Sequence, residues 1–127
     1  MNTRLEAALE KIRRAELPTF MDVEITGPNV KGRSFGDTPL HIMAIWGDVE
    51  NARTLIEAGA EIDARGEDGF TPLLNAVGQG HVEMVRLLLD SGANPRLATI
   101  DGSDAFDLAS SSDNLEIQQL LEGRKES

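Results

Sequence analysis

The string Thr-Pro-Leu begins at Thr38 and returns at Thr71, 33 residues later. The residues after it return on the same spacing: Gly47 with Gly80, Val49 with Val82, Glu50 with Glu83, Leu55 with Leu88, Ile56 with Leu89, Gly59 with Gly92 and Ala60 with Ala93. A constant offset held over roughly ten positions marks an array of supersecondary units, in which each unit buries one side of itself and a neighbour supplies the other. A third, weaker copy has Asp104–Ala109 where Thr-Pro-Leu would stand and keeps the register through Leu115, Glu116 and Leu121.

Each position in the unit has a physical task. Thr38 and Thr71 can cap the first amides of a helix, and Pro39 and Pro72 follow where no donor is needed and φ is already set. Leu40 and Leu73 are expected to face neighbouring units, with Met43 and Ala76 where two short helices approach. Gly47 and Gly80 end the first helix. A second helix then runs through residues 49–58 or 82–91, with Val82, Val85, Leu88 and Leu89 on one face and Gly92 left-handed at its end.

These residues resemble the ankyrin repeat. Its Gly-x-Thr-Pro-Leu-His opening is matched by Gly36, Thr38, Pro39, Leu40 and His41, and in the next unit by Gly69, Thr71, Pro72, Leu73 and Ala76, followed by the family's second-helix pattern over residues 80–94. Leu74, Met43 and Asp48 depart from it, as does the lost Thr-Pro-Leu of the third unit. The resemblance implies an all-α solenoid of about three helix-pair repeats, over 34–66, 67–99 and 100–122. Residues 1–33 would supply an N-terminal capping helix and a connection, and 123–127 a polar tail. It also implies that His41 hydrogen-bonds between adjacent loops and that His81 shapes an inter-helix turn.

Outside the repeats, Thr3 and Glu6 are spaced as a capping box for a helix that ends before Pro18. Residues 18–36 read as a non-repeat connection whose Phe20, Met21, Val23 and Ile25 pack on the first full unit. Residues 61–70 and 94–103 read as protruding hairpin loops, with Asp68–Gly69 and Asp101–Gly102 at their turns. Asp113 and Glu116 form another possible capping box.

The chain has 22 acidic against 12 basic residues and a formal charge of −10, and residues 100–127 alone carry −5. A repulsive field of that sign disfavours nucleic acid and anionic membranes and suits a basic protein partner. The absence of cysteine excludes disulfides and thiolate chemistry. The first residues mix acids and bases with apolar side chains and do not form a secretory signal, and no run approaches the roughly 18 apolar residues of a membrane span. A cytoplasmic protein is expected, monomeric in the absence of its partner.

No catalytic, metal or cofactor motif emerges. His41 and His81 hold different places in successive units, and equivalent positions of neighbouring units lie roughly 10 Å apart, too far for a shared nucleophile or metal. Asp101, Asp104 and Asp107 lack the closing glutamate of a calcium loop, so Asp104 reads as a helix cap. Residues 27–32 lack the spacing of a phosphate loop.

What remains is a surface. The resemblance places Ile45 and Trp46, with Gln79, Ser111 and Ser112 in later units, at the end of the first helix on the concave groove. Trp46 is the expected interface anchor there, unless the N-terminal segment covers it. Phe35, Asp37, Glu67, Asp68, Phe70, Asp101 and Ser103 lie at the loop tips, two aromatics among acids able to steer a basic partner, although Phe35 and Phe70 could instead close the hairpins against one another. The expected function is a non-catalytic protein-binding module, with an inhibitor or immunity-type protein for a basic toxin enzyme as one concrete form and a self-assembling scaffold as the alternative.

Overall fold

A computed structural model describes residues 3–33 and 36–124. The elements are α1 (Thr3–Arg14), a 3-10 turn at Pro18–Phe20, α2 (Pro39–Trp46), α3 (Val49–Glu57), a 3-10 turn at Glu67–Gly69, α4 (Pro72–Gln79), α5 (Val82–Asp90), α6 (Ala105–Ser110) and α7 (Leu115–Glu122). No strand occurs among the described residues. Helices α2, α4 and α6 stack as one layer and α3, α5 and α7 as a second, so the pairs α2–α3, α4–α5 and α6–α7 are the repeating units. The architecture is the all-α solenoid that the 33-residue spacing requires.

The starts and stops are those of the repeat. Thr71 Oγ1 accepts the Leu74 amide at 3.2 Å, and Pro39 and Pro72 occupy the first helical position. Gly47 and Gly80 end α2 and α4 with φ of 72° and 75°, a conformation that costs a residue with a Cβ. Gly47 carries a second constraint, because a Cβ there would stand 2.8 Å from His81 Nδ1.

Packing follows the apolar positions. Leu40, Met43, Ala44, Leu55, Ala76, Val85 and Leu88 are inaccessible to solvent, and Leu73 nearly so. In the third unit the small residues Ala105 and Ala109 face α4 and Ile117 and Leu121 face α5, continuing the core to its end.

Helix α1 lies mainly against α3 and only lightly against α2, so it occupies the layer of the second helices, one place ahead of α3. Ala8, Leu9 and Ile12 form its buried stripe. The expected box at its start is not formed from Thr3, which is already helical; Glu6 Oε2 instead accepts from Arg13 Nη1 at 3.0 Å. In the connection, Phe20 and Ile25 are buried as expected, but Met21 is 57% exposed because the 3-10 turn ends before it and turns it outward.

Two further expectations are corrected at the C-terminus. Asn114, and not Asp113, caps α7, accepting the Ile117 amide at 3.1 Å. Arg124, read as part of a free tail, donates from Nη1 to the Leu89 carbonyl at 3.0 Å and pairs through Nη2 with Asp90, closing the end of α5; residues 125–127 lie outside the described residues.

Helix α6 has six residues where α2 and α4 have eight, and one flank of the α6–α7 pair has no neighbouring unit among the described residues. Amides of 105–122 are therefore expected to exchange hydrogen earlier than those of 72–90, since terminal stacking is their main restraint. Stronger protection in 105–122 than in 72–90 would overturn this ordering.

Candidate functional site

The loops between units are fixed by hydrogen bonds that run from each to the next. His41 is the third residue of α2 and is inaccessible to solvent. The Thr38 amide donates to its Nδ1 at 2.9 Å, so that nitrogen is an acceptor and the proton sits on Nε2, which donates to the Phe70 carbonyl at 2.9 Å. Burial pushes the imidazole below its ordinary pKa of 6.5, against the opposing pull of the Phe70 carbonyl and Asp37, and the ring is held neutral. The inter-loop role implied for His41 is thus observed.

Asp37 is corrected. It is only 8% exposed, and its Oδ1 accepts the Glu67 amide at 2.9 Å, so it is an inter-loop staple and no steering acid at a tip. Gly66 stands where a Cβ would run into that carboxylate. Elsewhere Glu61 donates its amide to Asn29 Oδ1 at 2.7 Å, Asn94 donates to Asp63 Oδ1 at 3.0 Å, Arg65 Nη1 donates to the Ala98 carbonyl at 2.7 Å and Ile100 donates to the Asp68 carbonyl at 2.9 Å. The protruding loops form one hydrogen-bonded row.

Two of the loops end in matched turns. Gly66 donates to the Phe70 carbonyl at 2.8 Å, closing a turn in which Asp68 and Gly69 have φ of 56° and 78°. Thr99 donates to the Ser103 carbonyl at 2.9 Å, and its hydroxyl donates to Asp101 Oδ1 at 2.6 Å. Between these loops lies a cleft of about 310 Å³ lined by Phe70, Thr99, Ile100, Leu108 and the acids Asp68 and Asp101, with Ser103 beside them. Four expected contact residues, Asp68, Phe70, Asp101 and Ser103, are brought together here. Glu67 is exposed on the same loop, and Phe35 lies outside the described residues. Ile100, 77% exposed, and Leu108 went unread in the sequence; the signal was their register, since they replace Glu67 and Asn75 of the preceding unit.

The residues at the far ends of the first helices form a separate group, about 12 Å away along an eight-residue helix. Trp46 is partly buried, with Lys11 Nζ of α1 5.6 Å from its ring centroid. Lys11 also pairs with Asp48, the cap of α3, whose Oδ1 accepts the Asn51 amide at 3.2 Å. Burial opposes the Asp48 charge, but Lys11 and Asn51 together hold its pKa below the usual carboxylate range. The N-terminal helix therefore shares the face of Trp46, the arrangement set beside groove exposure in the sequence reading.

Ile45 gives its carbonyl to His81 Nε2 at 3.0 Å, so His81 ties its own turn to that of the preceding unit. Gln79 and Ser111 are exposed. Ser112 is occupied within the α6–α7 turn, its hydroxyl donating to the Ala109 carbonyl at 2.9 Å and accepting the Asn114 amide at 3.3 Å. Asp104 is the cap expected of it: it accepts the Asp107 amide at 3.0 Å and returns its own to Asp107 Oδ2 at 3.1 Å.

Comparison with known proteins agrees with this geometry. The family model described as ankyrin repeats in three copies matches residues 17–99 and 59–125, reaching further toward the N-terminus than the sequence motifs alone. The chain is 37% identical over 84 residues to human Ankyrin repeat and SOCS box protein 11, covering 66% of this chain and 26% of that protein. It is 40% identical over 76 residues to human BCL-6 corepressor-like protein 1, covering 60% and 4% respectively. Identity to mouse Protein phosphatase 1 regulatory subunit 12A is 35% over 81 residues, covering 64% and 8%. The chain thus spans about a quarter or less of these relatives' length. Stacked helix pairs on a 33-residue spacing, an imidazole joining consecutive loops and a family match over most of the sequence lead to one assignment: the chain belongs to the ankyrin-repeat family.

Proposed function

We propose that this chain is a stoichiometric binding module for a basic protein, acting by surface complementarity without catalysis. The supporting observation is the hydrogen-bonded row of loops, His41 to Phe70, Asp37 to Glu67 and Asp68 to Ile100, which holds the contact surface in shape before a partner arrives. A preorganised surface loses little ordering entropy on association. The charge of −10 supplies long-range attraction for a basic partner. His41 has both ring nitrogens, and His81 its Nε2, committed to structural hydrogen bonds, which supports a non-catalytic reading. An inhibitor of the immunity type, covering a basic toxin enzyme, is the form of this activity that the acidic surface fits.

Affinity purification from the native cell with mass spectrometry identifies the partner, and surface plasmon resonance on the purified pair tests the mechanism. Asp68→Lys is expected to slow association several-fold at low salt, with the effect shrinking as the Debye length falls. Asp37→Lys should instead reduce folding stability, because its carboxylate is an internal staple. An acidic partner, or an association rate indifferent to salt, would refute the electrostatic reading. Sedimentation is expected to show a monomer at both low and high salt; assembly that strengthens with salt would favour a self-associating scaffold.

A further inference from the structure

The geometry points to the cleft between the second and third loops as the seat for one large apolar side chain of the partner, carried on a short segment with an arginine or lysine beside it. This rests on the protein-binding reading and specifies its chemistry.

The cleft exists because the third unit departs from the second at three places. Where the second has Glu67, Phe70 and Asn75, the third has Ile100, Ser103 and Leu108. A small serine in the place of phenylalanine leaves Phe70 without a counterpart across the gap, Leu108 makes the lining apolar, and Ile100 puts an aliphatic side chain at the mouth where the previous unit has a charge. A lone exposed aliphatic residue needs no explanation, but one that continues the lining of an apolar cleft extends the surface a ligand can cover. At about 310 Å³ the cleft lies at the small end of the roughly 300–1,000 Å³ range of small-molecule pockets, which suits one side chain better than a whole cofactor.

Charge selects the neighbours of that side chain. Asp68 and Asp101 line the cleft, Glu67 is exposed next to Asp68, and no cationic side chain is among the lining residues. Of the arginines on these loops, Arg65 donates to the Ala98 carbonyl and Arg96 lies over the Phe106 ring at 5.4 Å. An apolar anchor flanked by a cation fits a site of apolar lining and acidic rim, whereas an acidic or uniformly apolar segment leaves the carboxylates unpaired or repelled.

The test uses the full chain and a random dodecapeptide library displayed on phage. Selected peptides are expected to carry an aliphatic or aromatic residue within two positions of an arginine or lysine. One of them, synthesised, is titrated by fluorescence anisotropy against the wild type, Ile100→Ser and the double variant Asp68→Asn, Asp101→Asn. Ile100 is exposed, asparagine tolerates the left-handed backbone of position 68, and it keeps the acceptor for the Thr99 hydroxyl, so all three proteins should fold alike.

Ile100→Ser is expected to weaken binding roughly tenfold at every salt concentration, and the double variant by a similar factor only at low salt. Peptides without basic residues, equal affinity for wild type and both variants, or recovery of no enriched peptide would each overturn the assignment. Peptides that bind equally to all three proteins but lose affinity to Trp46→Ala would move the site to the far end of the first helices and leave the protein-binding reading standing. That reading fails separately, if no protein partner is recovered by affinity purification from the native cell.

Discussion

Leu88→Ala is expected to cost about 2–5 kcal/mol of folding stability, the range for removing a large aliphatic side chain from a packed core. Leu88 is inaccessible to solvent and sits in α5, an inner helix of its layer, with α3 on one side and α7 on the other. A cavity there therefore loosens two inter-unit contacts, and a solenoid is held chiefly by such contacts. Against a typical total of roughly 5–15 kcal/mol, the loss is a large fraction. The same truncation at partly buried Leu87, on the adjoining face of the helix, should cost distinctly less. Urea titration with circular dichroism should show a lower midpoint for Leu88→Ala at a similar slope. A loss below about 1 kcal/mol would mean that the cavity is filled by relaxation and that α5 does not carry the coupling between units.

The position of Leu88 is legible in the sequence, and the reason is periodicity. A repeat states the same local problem several times, so Leu55 and Leu88, or Gly47 and Gly80, each confirm the other's role. Where a residue has no counterpart, that redundancy disappears. Met21 lies in the connection, and its exposure depends on where a single 3-10 turn ends, which no spacing records. Asn114 took the cap of α7 in place of Asp113 by a shift of one residue; both side chains can cap, and only backbone geometry chooses between them.

The candidate site was legible for a different reason and to a smaller extent. Of the loop-tip residues, Asp68, Phe70, Asp101 and Ser103 line one cleft where neighbouring loops meet. Asp37 was misread because an acid next to a turn looks the same in sequence whether it faces water or an amide of the next loop. Trp46 depended on α1, whose placement in the layer of the second helices, one place ahead of α3, follows from its buried stripe packing on α3 and not from the repeat. Departures from the repeat, Ile100 and Leu108 above all, were the most informative positions: a deviation not required by stacking is free to serve binding.

His41 joins the fold to that surface, and its replacement tests the connection. His41→Ala is expected to destabilise by about 3 kcal/mol, from a cavity in a fully buried site together with loss of the partner for the Thr38 amide. His41→Leu separates these causes, because Leu74 already fills the equivalent place in the next unit at 1% exposure. With packing largely kept, it should cost about 1–2 kcal/mol from hydrogen bonding alone; the Phe70 carbonyl retains the Gly66 amide as a donor, whereas the Thr38 amide loses the acceptor on His41. The pH dependence carries a definite sign. The folded imidazole has a pKa lowered from 6.5, so below about pH 6.5 the unfolded chain binds a proton that the folded chain resists, and stability falls as pH drops from there toward the folded value. Above pH 6.5 both states are neutral at this site and its contribution is flat. Carboxylates titrate mainly below about pH 5, so urea midpoints between pH 7 and 5 should isolate the histidine slope. That slope should be shallower in His41→Leu than in the wild type; an unchanged slope would show that His41 does not resist protonation in the folded state. Since the same ring holds the Phe70 loop, His41→Leu should also widen the distribution of loop geometries, read as faster hydrogen exchange at Gly66 and Phe70 and, for a bound partner, a faster off-rate with association little changed.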